Sequence, residues 1–108
     1  MSRTYLSSTL QAVSVLGAQL AVNRREQRRS AVDVAERAGI TRVTLRRIER
    51  GDPGVSIGLY FEVAMVLSLP LFGAEGPELA ELAARQQREL ILMPKRIRAR
   101  TSHVDDDF

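Results

Sequence analysis

The spacing of apolar residues predicts helices along most of the chain. From Thr9 onward, apolar or small residues recur every three or four positions, which is typical of one buried helix face. This pattern predicts a first helix that runs to about Arg28, with an inward face made of Leu10, Val13, Gly17 and Leu20. β-Branched residues never alternate with polar ones for long enough to indicate a strand. The pattern therefore predicts an all-α protein.

Two shorter helices follow, joined by a tight turn. Ser30 and Thr41 are suited to begin them, because a hydroxyl at the N-cap accepts from the backbone N–H groups that have no partner inside the helix. Gly39 and Gly51 are suited to end them, since glycine adopts positive φ at little cost. The residues that these two helices should bury are Val34, Ala35, Ala38, Leu45 and Ile48.

The second short helix combines an apolar back with an arginine front. Its outward positions are Arg42, Val43, Arg46, Arg47 and Arg50. The major groove of DNA is about 12 Å wide and admits one α-helix, and arginine can bind the O6 and N7 edge of guanine with two hydrogen bonds. This pattern favours a helix that reads DNA.

Two more helices are expected after the turn Asp52-Pro53-Gly54. The fourth should begin at Ser56 and turn Ile57, Phe61, Ala64 and Leu67 inward, whereas Met65 and Val66 lie off that stripe. A helix that is apolar on nearly every side must have its surface covered, here by either the last helix or a second subunit. After Pro70 and a loop at 73–77, a final helix should run from Glu78 to about Leu92 and end in the apolar run Leu90, Ile91, Leu92, Met93.

Composition and charge favour a polyanion as partner of the first half. Residues 24–50 contain nine arginines and four acids, whereas residues 59–94 contain two arginines and five acids. The chain has 108 residues, enough for one compact domain, and no cysteine. It shows neither a secretory signal pattern nor an apolar run of the roughly 20 residues that a membrane span needs. We therefore expect a cytoplasmic protein with no membrane association.

An enzyme is not expected. The single histidine, His103, has no metal-ligand partner at helical spacing, and no glycine-rich phosphate loop follows a strand. Three aspartates near the C-terminus could hold a divalent cation only weakly, because nothing orients them. No cofactor and no metal site is predicted.

The segment AERAGITRVTLRRIERGDPGVSIG resembles the helix-turn-helix of the Xre/Cro-like regulators, the family of the lambdoid phage repressors. The resemblance extends from about Leu16 to Leu69 and implies a five-helix DNA-binding domain. Two segments are more particular: GDPGVSIG and LMPKRIRAR resemble the small regulators encoded beside HipA-like kinase toxins, the HipB-type antitoxins. The family frame is carried by Ala35, Gly39, Leu45, Ile48, Glu49 and Gly51.

The resemblance also implies roles for individual residues. Arg24 and Glu49 match the partners of a structural ion pair that ties the first helix to the reading helix. One departure is Ala31, where the family commonly has a glutamine that binds a phosphate. The residues expected to face base edges are Arg42, Val43, Arg46 and Arg47, and those expected at DNA phosphates are Arg28, Arg29, Ser30, Thr41, Thr44 and Arg50.

These observations predict an N-terminal arm at 1–8, a helix-turn-helix DNA-binding domain at 9–74, a C-terminal helix at 75–93 and a flexible tail at 94–108. They predict a sequence-specific repressor that binds a palindromic operator in double-stranded DNA as a homodimer. The resemblance implies an antitoxin that autoregulates its operon and binds a HipA-like kinase toxin; the alternative is a stand-alone Xre-family or phage-type repressor. Residues expected to contact a second subunit or a partner are Met65, Val66, Leu90, Ile91, Met93 and Phe108.

Overall fold

The computed structural model describes residues 3–95, which form five α-helices and no β-strand. The predicted all-α fold is confirmed. The chain divides into two units, residues 1–75 and 76–108. The first contains four helices and the second contains one: α1 (Ser7–Glu26), α2 (Ala31–Ala38), α3 (Arg42–Glu49), α4 (Ile57–Val66) and α5 (Pro77–Leu92).

The first unit is built around an aliphatic core. All four of its helices contribute to this core, and the loop between α3 and α4 adds Val55. The largest side chains that are fully buried are Leu20, Val34, Leu45, Ile48, Val63 and Leu67. Complete burial of such a side chain contributes about 1.5–3 kcal/mol to the free energy of unfolding. α2 and α3, each only eight residues long, are therefore stabilised mainly by this core, since isolated helices of that length are not stable in water.

Each of α1 to α4 ends in the same way, with one residue in the left-handed conformation. At the end of α2, Gly39 has φ 71°, and the amides of Gly39 and Ile40 donate to the carbonyls of Glu36 and Ala35. This Schellman arrangement satisfies carbonyls that have no partner inside the helix. Gly51 does the same for α3, as predicted, whereas Arg28 and Ser68 take this conformation, each with φ 56°, without being glycine.

The backbones of α1 and α3 meet at a glycine contact. A Cβ at Gly17 would overlap the carbonyl oxygen of Ile48 and would lie 2.8 Å from the Gly51 amide nitrogen. A Cβ at Gly51 would lie 2.5 Å from the Cα of Ser14. Only glycine at both positions allows α1 to lie against the end of α3 at this distance. The end of α3 is thus held against the backbone of α1.

Two details of α1 differ from the prediction. The helix begins at Ser7, inside the segment predicted to be an arm, and ends at Glu26 rather than near Arg28. Its inward face is also displaced at the start: Leu10 is 41% exposed, whereas Gly17 and Leu20 are buried. The core begins about one turn later along α1, where Val13 and Leu16 are the first of its residues to pack against it.

The predicted inward stripe of α4 was wrong at its first position. Ile57 is 66% exposed, and Tyr60 and Val63 are buried together with Ala64 and Leu67. α4 is apolar on nearly every side, so periodicity alone does not decide which side faces the core. Ser56 occupies the N-cap position as expected but makes no side-chain capping hydrogen bond.

The second unit contains α5, which begins at Pro77, one residue before the predicted start, and ends at Leu92. None of its residues is buried, and its C-terminal end is the most exposed apolar segment described, with Leu92 at 84%. No helix within residues 3–95 is long and apolar enough to span a membrane. Residues 96–108, most of the predicted tail and its terminal Phe108, lie outside the described residues.

Candidate nucleic-acid interface

The helix-turn-helix is formed by α2, the turn at 39–41 and α3. Ser30 Oγ accepts a hydrogen bond of 3.0 Å from the amide of Asp33 and thereby caps α2. Thr41 Oγ1 accepts one of 3.0 Å from the amide of Thr44 and caps α3. Both predicted N-caps are confirmed. The two caps and the left-handed Gly39 define where each helix begins and where the chain turns between them.

α3 presents one apolar face to the core and one cationic face to the surface. Leu45 and Ile48 are fully buried, so the helix is held in a single rotational setting about its own axis. The opposite face carries Val43, which is 62% exposed, among four arginine side chains. These are Arg42, Arg46, Arg47 and Arg50. An exposed valine among arginines suits a major groove, since apolar groups contact the thymine methyl and arginines contact guanine.

The ion pair between Arg24 and Glu49 links α1 to the end of α3. Arg24 Nε donates to Glu49 Oε2 at 2.6 Å, and Nη2 donates to Oε1 at 3.1 Å. Arg24 Nη1 also donates to the carbonyl of Arg29 at 3.0 Å. The hydrogen bond to Glu49 raises the pKa of Arg24. With 12% and 13% of their side chains exposed, the two residues form a bidentate pair that is largely shielded from water.

Arg25 was missed by the sequence analysis. It lines a depression of about 230 Å³ with Ala31, Arg42 and Arg46, next to the Arg24–Glu49 pair. Arg24 is neutralised by Glu49, whereas Arg25, Arg42 and Arg46 bring three further positive charges to this depression. Ala31, which also lines this depression, stands where the resemblance to the family implies a glutamine. The only sequence signal for Arg25 was its place in the arginine-rich segment at 24–29.

Arg29 was expected at a DNA phosphate but is engaged within the protein. Its Nη1 donates to the carbonyl of Val66 at 2.9 Å and to Gln27 Oε1 at 3.3 Å, and its Nε donates to Asp33 Oδ2 at 3.2 Å. These three acceptors occupy Nε and Nη1 and leave the two donors on Nη2. The structure thus gives Arg29 a role in connecting α2 to α4, and its contact with a DNA phosphate stays a prediction that only Nη2, which has no hydrogen bond among the contacts described, could fulfil without breaking these bonds. Arg28 is exposed.

Asp52 organises the turn after α3 and also contacts the arginine face. Asp52 Oδ2 accepts from Arg47 Nε at 2.8 Å, and Oδ1 accepts from the amide of Gly54 at 2.8 Å. The hydrogen bond from Arg47, followed by that from Gly54, lowers the pKa of Asp52. The hydroxyl of Tyr60 on α4 donates to the carbonyl oxygen of Asp52 at 2.7 Å. From the sequence, Asp52 was predicted only to be a turn residue.

The residues expected at a subunit or partner contact lie in both units. On α4, Met65 is 41% exposed, whereas Val66 is half-buried and packs against the core. On α5 and just after it, Leu90, Ile91 and Met93 are all exposed. No group of three or more residues able to hold a metal ion occurs in the described part of the chain.

A capped pair of short helices, with the second carrying an exposed arginine face, defines a helix-turn-helix regulator that binds DNA. The family comparison agrees: a family model described as a helix-turn-helix domain matches residues 15–82, and the chain belongs to this family. The match includes the whole of α2, α3 and α4. No curated protein and no solved structure matches the chain.

Proposed function

We propose that this protein is a sequence-specific transcriptional repressor that inserts α3 into the major groove of its operator. The observation that supports this most directly is the division of α3 into a fully buried apolar face and an exposed arginine face. A helix that is fixed by Leu45 and Ile48 can offer its outer side chains to base edges in one orientation. Specific reading requires such an orientation, because a bidentate contact is directional.

We assign base reading to Arg42, Val43, Arg46 and Arg47, because they lie on the exposed side of α3. Phosphate contacts are assigned to the periphery of this face, where side chains and helix N-termini can meet the DNA backbone. The candidates are Arg28, Ser30, Thr41, Thr44 and Arg50. Arg25 joins them because it lines the cationic depression beside Ala31.

The proposed repressor acts as a two-fold symmetric homodimer. One short helix reads only a few base pairs, and two such helices reach successive major grooves when they are about 34–36 Å apart. Exposed apolar side chains are the candidates for the subunit interface, because their burial would drive association. They are Met65 on α4, and Leu90, Ile91 and Met93 at the end of α5; the half-buried Val66 lies next to Met65 and is a further candidate.

The test begins with the full chain and a library of randomised duplex DNA. We expect enrichment of a palindromic sequence, with a protected region that spans two successive major grooves. Sedimentation at tens of micromolar protein is expected to give a dimer. If no sequence is enriched over random duplex, the repressor proposal fails. If the enriched site has no two-fold symmetry and the protein is a monomer both free and on DNA, the dimer fails.

A more particular proposal is that the protein is the antitoxin of a HipA-like kinase toxin and represses their shared operon. It rests on the resemblance of GDPGVSIG and LMPKRIRAR to regulators of that kind. It is also supported by α5, whose three glutamates and two arginines give a net charge of −1 that offers no attraction to DNA phosphates, and whose apolar end is exposed. The alternative is a stand-alone repressor, which would use α5 only for dimerisation.

Two variants separate these alternatives if a HipA-like kinase gene lies beside this one. Truncation after Pro94 removes the basic segment and Phe108, and we expect it to weaken toxin binding and neutralisation while operator binding persists. Arg47→Ala is the converse control, with operator selectivity reduced and toxin neutralisation retained. If the truncated chain neutralises the toxin fully, the tail is not the docking segment. If no such gene is adjacent, the stand-alone repressor is favoured.

A further inference from the structure

We propose that Asp52 is a specificity-determining residue that acts through Arg47, by holding its guanidinium in the orientation that reads a guanine. This inference rests on the proposed function, because it assumes that α3 enters the major groove. Asp52 is then a positioning residue, which contacts the reading side chain and need not contact the DNA.

The geometry of the contact leaves the reading edge of Arg47 available for a base. Asp52 Oδ2 accepts from Nε of the guanidinium. Arginine has five N–H donors in a planar fork, and the four on the two Nη atoms are not required for this bond. Guanine O6 and N7 need only two of them. A carboxylate on Nε therefore fixes the plane of the guanidinium and leaves a pair of donors for the base.

Asp52 is itself firmly placed. Its second carboxylate oxygen accepts from the Gly54 amide, and its backbone carbonyl accepts from the hydroxyl of the buried Tyr60. Gly54 is close to the guanidinium as well, because a Cβ at Gly54 would lie only 3.3 Å from Arg47 Nη2. Arg47 is therefore bonded to the carboxylate of a residue whose backbone is anchored to α4, and its terminal nitrogen lies near a glycine that makes room for it.

An ordered arginine binds more selectively than a mobile one. A free arginine side chain loses rotamer entropy when it is held in one geometry. Asp52 imposes part of that ordering on Arg47 before DNA binds. It does so only in the orientation of the guanidinium that suits a base edge. An unsupported Arg47 could turn to the nearest phosphate, which would raise affinity for any sequence. Loss of Asp52 should therefore reduce selectivity more than affinity.

A competing interpretation is that Asp52 merely offsets positive charge near the DNA. In that case its removal would raise the affinity for specific and random duplex by the same factor, and the ratio would not change. The two interpretations thus differ in one measurable quantity, the ratio of affinities for the enriched and the random duplex.

The test uses the full chain, the duplex of about 20 base pairs that it enriches from a randomised library, and random duplex of equal length. We expect Asp52→Asn to lower the affinity ratio by about three- to tenfold, since ordering of Arg47 is lost while the acceptor for the Gly54 amide remains. Glu62→Gln removes the same charge from an exposed position of α4 and should leave the ratio within about twofold. Thermal unfolding of each variant verifies that it is folded. If Asp52→Asn does not fold, Asp52→Ser, whose hydroxyl can also accept from Gly54, replaces it.

The decisive measurement repeats the substitution in an Arg47→Ala background. There Asp52→Asn should change the ratio by less than about twofold, because no guanidinium remains to be held. A duplex in which 7-deazaguanine replaces guanine should weaken binding of the full chain more than that of Asp52→Asn. An unchanged ratio in Asp52→Asn, or an equal loss with and without Arg47, would overturn the inference and leave the repressor proposal standing. Failure of the full chain to enrich any duplex would overturn both.

Discussion

Gly17→Ala tests the contact between the backbones of α1 and α3. An alanine Cβ at this position would overlap the carbonyl oxygen of Ile48 and crowd the amide of Gly51. Both neighbours are backbone atoms of the turn that ends α3, so no side chain can move aside. The two helices would have to separate by several tenths of an ångström, and the Arg24–Glu49 pair would stretch with them.

Two opposing effects set the magnitude. Replacing a helical glycine with alanine favours the folded state by up to about 1 kcal/mol, through the lower conformational entropy of the unfolded chain. Overpacking of a close contact costs about 1–3 kcal/mol, and the rigidity of these neighbours places Gly17 toward the upper part of that range. We therefore expect a net loss of about 1–2 kcal/mol in the free energy of unfolding.

Gly58→Ala is the matched control, because Gly58 also lies in a helix and has no atom within 4 Å of its ideal Cβ position. It should gain a few tenths of a kcal/mol, since its place in the first turn of α4 reduces the propensity gain. Urea denaturation of both variants measures the difference directly. If Gly17→Ala is as stable as Gly58→Ala, the close approach of α1 and α3 does not exist and the reasoning is refuted.

Three further predictions concern other contacts. Ser68→Gly should raise the free energy of unfolding by about 0.5 kcal/mol, because Ser68 has φ 56° in the left-handed region, and urea denaturation that shows a loss would contradict this account. Tyr60→Phe should lower the free energy of unfolding by about 1 kcal/mol, since the hydroxyl donates to the Asp52 carbonyl. The free energy of unfolding of a double variant with Asp52→Asn tests whether this backbone contact acts independently of the Asp52 side chain. The pKa of Asp33 is lowered chiefly by the hydrogen bond from Arg37, and that of Asp52 by the hydrogen bond from Arg47. Both ionised carboxylates therefore stabilise the folded state above the unfolded pKa of about 4. This stability is lost as the pH falls through the lowered pKa values of the folded protein. Denaturation between pH 7 and pH 3 should show this decline, and an Asp33→Asn, Asp52→Asn double variant should show a shallower one.

Local chemistry explains what could be predicted from the sequence. The caps at Ser30 and Thr41 depend on hydrogen bonds to residues three positions away, so the sequence contains both partners. The periodicity of α3 likewise identified Leu45 and Ile48 as its buried face. Short-range signals of this kind also predicted the helices, their order and the arginine face of α3. The family match agrees with the helix-turn-helix.

What could not be predicted depends on partners distant in the chain. Arg29 looks like one more surface arginine until the carbonyl of Val66, 37 residues later, is placed beside it. From the sequence alone, Gly17 is only a residue of low helix propensity; its role becomes clear from the close contact with the end of α3. Tyr60 was overlooked because α4 is apolar on most sides and only the acceptor at Asp52 shows why a tyrosine suits the core.

The separation of buried and outward-facing residues on α3 has a consequence for how the sequence of this protein can diverge. The residues that hold the helix in place, Leu45, Ile48 and the Glu49 carboxylate, are separate from those that face outward, and Val43 contributes nothing to the core. Outward positions can therefore mutate with little penalty in folding, so under the proposed function a duplicated gene could acquire a new DNA target while it keeps the same scaffold. Position 47 is the exception, since a change there also removes the hydrogen bond to the Asp52 carboxylate. We expect relatives with different target sequences to vary freely at 42, 43 and 46, and to change 47 and 52 together.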